Sequence, residues 1–180
     1  MSAELFTIGH SNQQLERLLA LLMQHGIKLL VDIRRFPSSK KFPHFNQNNL
    51  KTALTEAGID YIWLEELGGR RRGPAAERSL NIGLQNQGFR NYADYMLTAE
   101  FRQGIDKLLA IAACHPTAIM CAEALFWRCH RRLVSDYLVA NGVPVHHIMP
   151  TGELQLHKLT TGAAVEGGIV TYPGQKHLFA

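Results

Sequence analysis

The stretch KLLVDIRRF (28–36) decides the fold. A half-exposed strand would alternate apolar and polar residues. The run KLLVDI (28–33) is almost unbroken, which predicts a strand buried on both faces, as in a parallel sheet covered by helices. Asp32, Arg34 and Arg35 then stand at its carboxyl end, where open α/β sheets bind ligands.

Working outward, the same pattern repeats. LFTIG (5–9) reads as a strand, and SNQQLERLLALLMQHG (11–26) as a helix with Ser11 and Gln14 at capping-box spacing and Gly26 at its exit. NQNNLKTALTEAG (46–58) predicts a second helix and DYIWL (60–64) a third strand. YADYMLT and AEFRQGIDKLLAIAA carry helical spacing. TAIMC (117–121) is a fourth strand, CHRRLVSDYLVANG (129–142) a helix, and VPVHHI (143–148) a fifth strand, with Pro144 placing it at an edge or at its first position. Strands alternating with helices predict an α/β fold: a mainly parallel sheet of about five strands flanked by helices, with an active rim at the strand carboxyl ends. Residues 1–150 form one domain on this reading. Residues 151–180 show no clear element and read as a C-terminal extension.

The composition fits one globular domain: 180 residues, 46% hydrophobic, 19% charged, net charge +4. No segment has the length and apolarity of a membrane helix. The N-terminus lacks a signal-peptide pattern, and the three cysteines are an odd number, so the expectation is a cytoplasmic chain with free thiols.

Several stretches occur together in order: TIGHSN (7–12), LLVDIRRFPSS (29–39), HFN (44–46), ELGGRR (66–71), YADYM (92–96), and CAE with CHRRL within 121–133. As a set they resemble the bacterial family called "domain of unknown function 488", over roughly residues 5 to 148. The resemblance implies an α/β fold and assigns no activity. In relatives the loop between the two cysteines often carries polar residues. ALFW (124–127) makes it more apolar here.

The chemistry-bearing residues fall at strand ends, so distant stretches can converge. Asp32 and Glu123 are the acid–base candidates, with His10 able to orient a phosphate or move a proton. Cys121 and Cys129 are candidate nucleophiles, Cys129 lying near a helix start where a thiolate or phosphate is favoured. Arg34, Arg35, Arg70, Arg71, His130 and Arg131 are the candidate phosphate-binding residues. Arg131→Ala is expected to weaken ligand binding and leave the fold intact. CAEALFWR (121–128) is one residue longer than the cysteine–arginine spacing of cysteine phosphatases, and Glu123 would repel a phosphate cradled there. Cys121, Cys129 and His130 can also be counted as metal ligands with His10 as a fourth, but no C-x-x-C or H-E-x-x-H pattern occurs. No cofactor is expected on this reading, with a metal left open.

LGGRRRGP (67–74) lacks the spacing of a nucleotide P-loop, but its glycines allow close approach to a phosphate. Aromatic residues between basic ones suit stacked bases. The chain ends GQKHLFA, in which Gln175, Leu178 and Phe179 match the Q-x-x-L-F pattern of peptides that bind bacterial sliding clamps. The leading expectation is an enzyme, plausibly a hydrolase, that processes nucleic acid or nucleotides in DNA repair or base processing. A non-catalytic DNA- or nucleotide-binding module and a metal- or redox-dependent small-molecule enzyme are the alternatives.

Overall fold

The computed structural model describes residues 4–74 and 76–174. Five strands run parallel: β1 (Leu5–Gly9), β2 (Leu29–Asp32), β3 (Asp60–Trp63), β4 (Thr117–Cys121) and β5 (Val145–Ile148). The sheet order is β3-β2-β4-β1-β5, extended by an antiparallel edge strand β6 (Leu154–Leu156). The α/β architecture expected from the apolar runs is the one observed.

Helices cover both faces. α1 (Leu15–Gln24) and α2 (Gln47–Glu56) bury Leu18, Leu21, Leu22, Leu50 and Leu54 against Ile8, Leu30, Ala118 and Met120. α3 (Gln87–Tyr95), α4 (Ala99–Ala112) and α5 (Arg131–Ala140) pack on the other face, against Leu5, Leu29, Val31 and Ile119. The alternation within each strand, Leu30 to one side and Leu29 and Val31 to the other, is why β2 needs an apolar side chain at nearly every position. Among the described residues, no helix is long and apolar enough to cross a membrane.

The order of the strands creates the site. From β1 the chain crosses to β2 by way of α1 on one face. From β4 it crosses to β5 by way of α5 on the other. β1 and β4 are neighbours, so their following loops leave in opposite directions and open a crevice between them. Gly9, at the end of β1, sits against the loop after β4: a Cβ there would lie 1.8 Å from the Glu123 carbonyl oxygen. The two loops meet this closely only because position 9 has no side chain.

Two local expectations need correction. Ser11 does not cap α1. It takes a turn conformation with φ 49°, its N–H donates to the Ala122 carbonyl, and α1 begins four residues later. The helix expected from Cys129 starts at Arg131, and Cys129 is extended (φ −130°, ψ 151°). Pro144 immediately precedes β5, which is paired on both sides, by β1 and β6.

Between residues 151 and 174 the chain shares the domain core. β6 completes the sheet, and a hairpin of β7 (Ala164–Glu166) and β8 (Ile169–Thr171) packs Val170 and Tyr172 among the residues beneath α5. A buried hydrogen-bond relay ties this segment to the strand ends. Arg131 donates to Thr7 Oγ1 at 3.3 Å. Thr7 Oγ1 hydrogen-bonds His147 Nδ1 at 2.7 Å, His147 Nε2 pairs with His157 Nδ1 at 2.8 Å, and His157 Nε2 donates to Asp136 at 2.8 Å. Tyr172 and the Thr160 amide also donate to Asp136. Burial works against the Asp136 charge, but these bonds outweigh it and hold the carboxyl below its ordinary value.

Burial, with repulsion from His157, Arg131 and His146, pulls the His147 pKa from 6.5 down to about 2. The unfolded chain therefore takes up a proton that the folded chain refuses between these values. The contribution to stability is full above about pH 6.5 and falls as the pH drops toward 2. The melting temperature is expected to be lower at about pH 5 than at neutral pH. Nitrogen-15 NMR at the same acid pH should show the His147 ring neutral. A protonated His147 ring in the folded chain at that pH contradicts this account.

Candidate functional site

A cavity of about 710 Å³ lies beyond the carboxyl ends of β1, β2 and β4. Its walls come from four loops: His10 to Asn12 after β1, Arg34 to Phe42 after β2, Gly69 and Arg70 after β3, and Cys121 to Glu123 with Arg128 to His130 after β4. Phe89 and Tyr92 of α3 close one side. The convergence expected from the sequence is present, although the residues it named take different stations.

Arg34 is the best-supported side chain at the floor. It is 5% exposed. Its Nε and Nη2 donate to Asp32 at 2.9 and 2.6 Å, and its Nη1 donates to His10 Nε2 at 3.2 Å. Arginine can only donate, so His10 Nε2 accepts, and the His10 proton sits on Nδ1, facing the Ser11 carbonyl at 2.9 Å. Burial accordingly lowers the His10 pKa from 6.5 to about 4, with the Ser11 bond opposing it and the Arg34 charge adding to it. His10 also stacks near Phe45, with ring centroids 4.2 Å apart. Burial disfavours the Arg34 charge too, but Asp32 more than compensates and its pKa rises.

Asp32 is fully buried and does not line the cavity. Besides Arg34 it accepts from the Arg34 amide at 3.0 Å and from Tyr61 Oη at 2.7 Å. Burial, then Asp32, push the Tyr61 hydroxyl pKa up, so it stays a donor. The Asp32 carboxylate, an acid–base candidate by sequence, is thus placed to orient Arg34. Glu123, the other candidate, is exposed on the cavity wall.

The remaining arginines divide. Arg35, Arg70 and Arg128 line the cavity, joined by Lys41. Arg35 also pairs with Glu65 at 3.0 Å. Arg70 has φ 55°, a left-handed turn after the two glycines that projects it from the loop. Arg71 lies off the cavity, 3.8 Å over the Tyr95 ring, and its guanidinium donates to the Gly68 and Glu65 carbonyls and to Glu100. It locks the loop rather than facing a ligand. Arg131 is 1% exposed and also lies off the wall. It donates to Thr7 and to the carbonyls of Glu123 and Ala124, and so fixes the loop after β4.

The two buried cysteines and His130 meet at the base of that loop. His130 Nδ1 lies 3.8 Å from Cys121 Sγ and 3.7 Å from Cys129 Sγ. Its Nε2 lies 3.1 Å from the Ile33 carbonyl and donates to it, which turns Nδ1 toward the sulfurs. Both ring nitrogens are thereby engaged away from any anion, unlike the phosphate-binding place expected for His130. The Arg131 amide donates to Cys129 Sγ at 3.4 Å. A hydrogen bond with Cys129, reinforced by burial, pushes the Cys121 thiol up. Burial opposes a Cys129 thiolate, but Cys121, His130 and Arg131 outweigh it and pull the Cys129 thiol down. Cys114 is exposed, in the turn between α4 and β4.

A family profile matches residues 14–138. The chain belongs to that family, described as "Domain of unknown function DUF488". The matched span runs from the start of α1 to within α5, and so holds Asp32, Arg34, Cys121, Cys129 and His130. Neither curated proteins nor solved structures match this DUF488 chain.

Residues outside the candidate list complete the site. Tyr61 buttresses Asp32. Lys41 and Arg128 add charge to the wall, and Phe89 and Tyr92 supply aromatic surface. Lys41 and Arg128 sat in visible basic clusters; Phe89 carried no signal, because its helix position reads as ordinary packing. Gln175, Leu178 and Phe179 lie outside the described residues.

The buried station of Arg131 changes the outcome expected of its removal. Arg131→Ala strips three oxygen acceptors of their donor, and should lower folding stability in urea denaturation by about 3 kcal/mol or more. An unchanged midpoint with weakened ligand binding would instead place the guanidinium in the cavity.

Proposed function

We propose that the strand-end cavity binds and processes a phosphate-bearing ligand, a nucleotide or a nucleotide within a nucleic acid. The carrying observation is the Arg34 guanidinium. Asp32 and His10 take three of its five N–H groups, leaving one on each Nη as Arg34 lines the cavity. A buried cation held in one orientation, with donors unspent, is pre-organised for an anion. The charge of the wall supports this: among the described residues, Arg70, Arg128 and Lys41 join Arg34, held by Asp32, and Arg35, paired with Glu65, beside one wall carboxylate, Glu123. The volume lies within the range of small-ligand sites, and Phe36, exposed, with Phe42 and Phe89, offers faces on which a base can stack.

Processing falls to Glu123 as acid or base, or to the cysteine pair. The Q-x-x-L-F tail pattern adds the proposal of a DNA context, repair or base processing, through a sliding clamp. The alternative of a binding module without turnover shares the same phosphate site.

Calorimetric titration with a nucleoside 5′-monophosphate tests the reading, the free nucleoside serving as control. The monophosphate should bind at least about tenfold more tightly, the effect of one charge-assisted contact. Arg70→Ala with Arg128→Ala should weaken it by roughly tenfold or more, and these exposed side chains leave the fold intact. Equal affinity for nucleoside and monophosphate, or no loss in the double variant, overturns the phosphate site. Glu123→Gln should retain binding and abolish turnover if Glu123 does the chemistry; retained turnover assigns that role elsewhere.

A further inference from the structure

We propose that Cys121, Cys129 and His130 form a binding site for a divalent thiophilic cation, zinc foremost, with a fourth coordination position open to the cavity. This goes beyond the phosphate reading and does not depend on it, because it stands on sulfur and nitrogen geometry alone.

The three ligand atoms lie within 4.8 Å of one another. A tetrahedral zinc with ordinary bond lengths needs its sulfurs about 3.8 Å apart and each sulfur about 3.6 Å from a ligating nitrogen. The observed sulfur–nitrogen separations are 3.8 and 3.7 Å. The two sulfur–nitrogen edges are therefore preformed to within a few tenths of an ångström, and the sulfurs lie within 4.8 Å of each other. Adjacent residues seldom converge on one ion, but here the backbone turns between them: Cys129 is extended and His130 is already helical (φ −59°, ψ −15°). That turn brings both side chains to the end of β4, where Cys121 waits.

The surroundings are those of a ligand set. The His130 Nε2–H donates to the Ile33 carbonyl, which fixes the ring and turns Nδ1 to the sulfurs, where its lone pair would bind the ion. The Arg131 amide points at Cys129 Sγ, a donor that steadies a metal-bound thiolate. Gly69 keeps the flank of the ring clear, since a Cβ there would come 2.9 Å from His130 Nδ1. Two thiolates and a neutral imidazole suit zinc or ferrous iron rather than magnesium or calcium. Three protein ligands with one open position match reactive rather than purely structural sites. All three residues line the cavity, so the open position faces the same space as Arg34. Binding deprotonates the thiols and releases their protons to solvent.

The test uses the full chain, reduced and stripped of metal with a chelator, then titrated with cobalt(II). One equivalent should produce sulfur-to-cobalt charge-transfer absorption and the intense visible bands of four-coordinate cobalt, and zinc should bleach them. Cys114→Ser should titrate like wild type. Cys121→Ser and Cys129→Ser should bind at least about a hundredfold more weakly. X-ray absorption of zinc-loaded wild type should show two sulfur neighbours and at least one imidazole nitrogen, which decides the matter even if a variant fails to fold. Absence of charge-transfer bands in wild type, loss of them in Cys114→Ser, or a sulfur-free zinc shell overturns the site. Monophosphate titration of the metal-free protein separates the two readings: phosphate binding without cobalt binding sinks only the metal, and the reverse sinks only the phosphate site.

Discussion

The buried guanidinium of Arg131 is the group on which the strand-end edge depends. A charge 1% exposed is tolerated only where acceptors surround it. Here they are the Thr7 hydroxyl from β1 and two carbonyls of the loop after β4. These bonds hold two neighbouring strands' loops against each other, and Gly9 provides the room for that contact. The loop in turn carries Cys121 and Glu123 to the cavity. The His147–His157–Asp136 relay continues from Thr7 to the hairpin, so a segment far along the chain stabilises the geometry of the site.

A second buried charge is managed differently. Arg34 has a carboxylate partner in Asp32, and Tyr61 and His10 complete its surroundings. Breaking such a pair on one side is costly, because the remaining ion stays buried and unpaired. The two arginines thus divide the labour: Arg131 fixes the loop, whereas Arg34 is fixed by its neighbours and keeps donors for a ligand. The cavity beside them carries positive charge on its walls and soft donor atoms at its base, the pairing that the proposed phosphate site beside a reactive centre calls for.

The five parallel strands were legible because strands buried on both faces must be apolar throughout, and because glycines with positive φ at 26, 58 and 142 mark the helix exits. β6, β7 and β8 were not legible. Each has three residues, and Leu154, Leu156, Val165 and Ile169 are exposed, so no inward-facing rhythm appears. The neighbourhood of the site was readable from strand ends, but the role of each arginine was not. Arg34 and Arg35, or Arg131 and Arg132, are identical letters side by side; whichever points into the protein is buried and the other is not. That phase is set by where a strand stops or a helix starts, and a shift of two residues at α5 was enough to move it. Ser11 misled for the same reason, because a turn intervened between β1 and α1.

The central claim is that an anion's phosphate sits against Arg34 at the meeting of β1, β2 and β4. The most direct measurement is a crystal structure of the protein soaked with a nucleoside 5′-monophosphate. The account predicts phosphate oxygens within hydrogen-bond reach of Arg34 Nη1 or Nη2 and of a wall cation such as Arg128, with the base against Phe36, Phe42 or Phe89. A nucleotide bound on another face, or one whose base occupies the floor while its phosphate points into solvent, would contradict it.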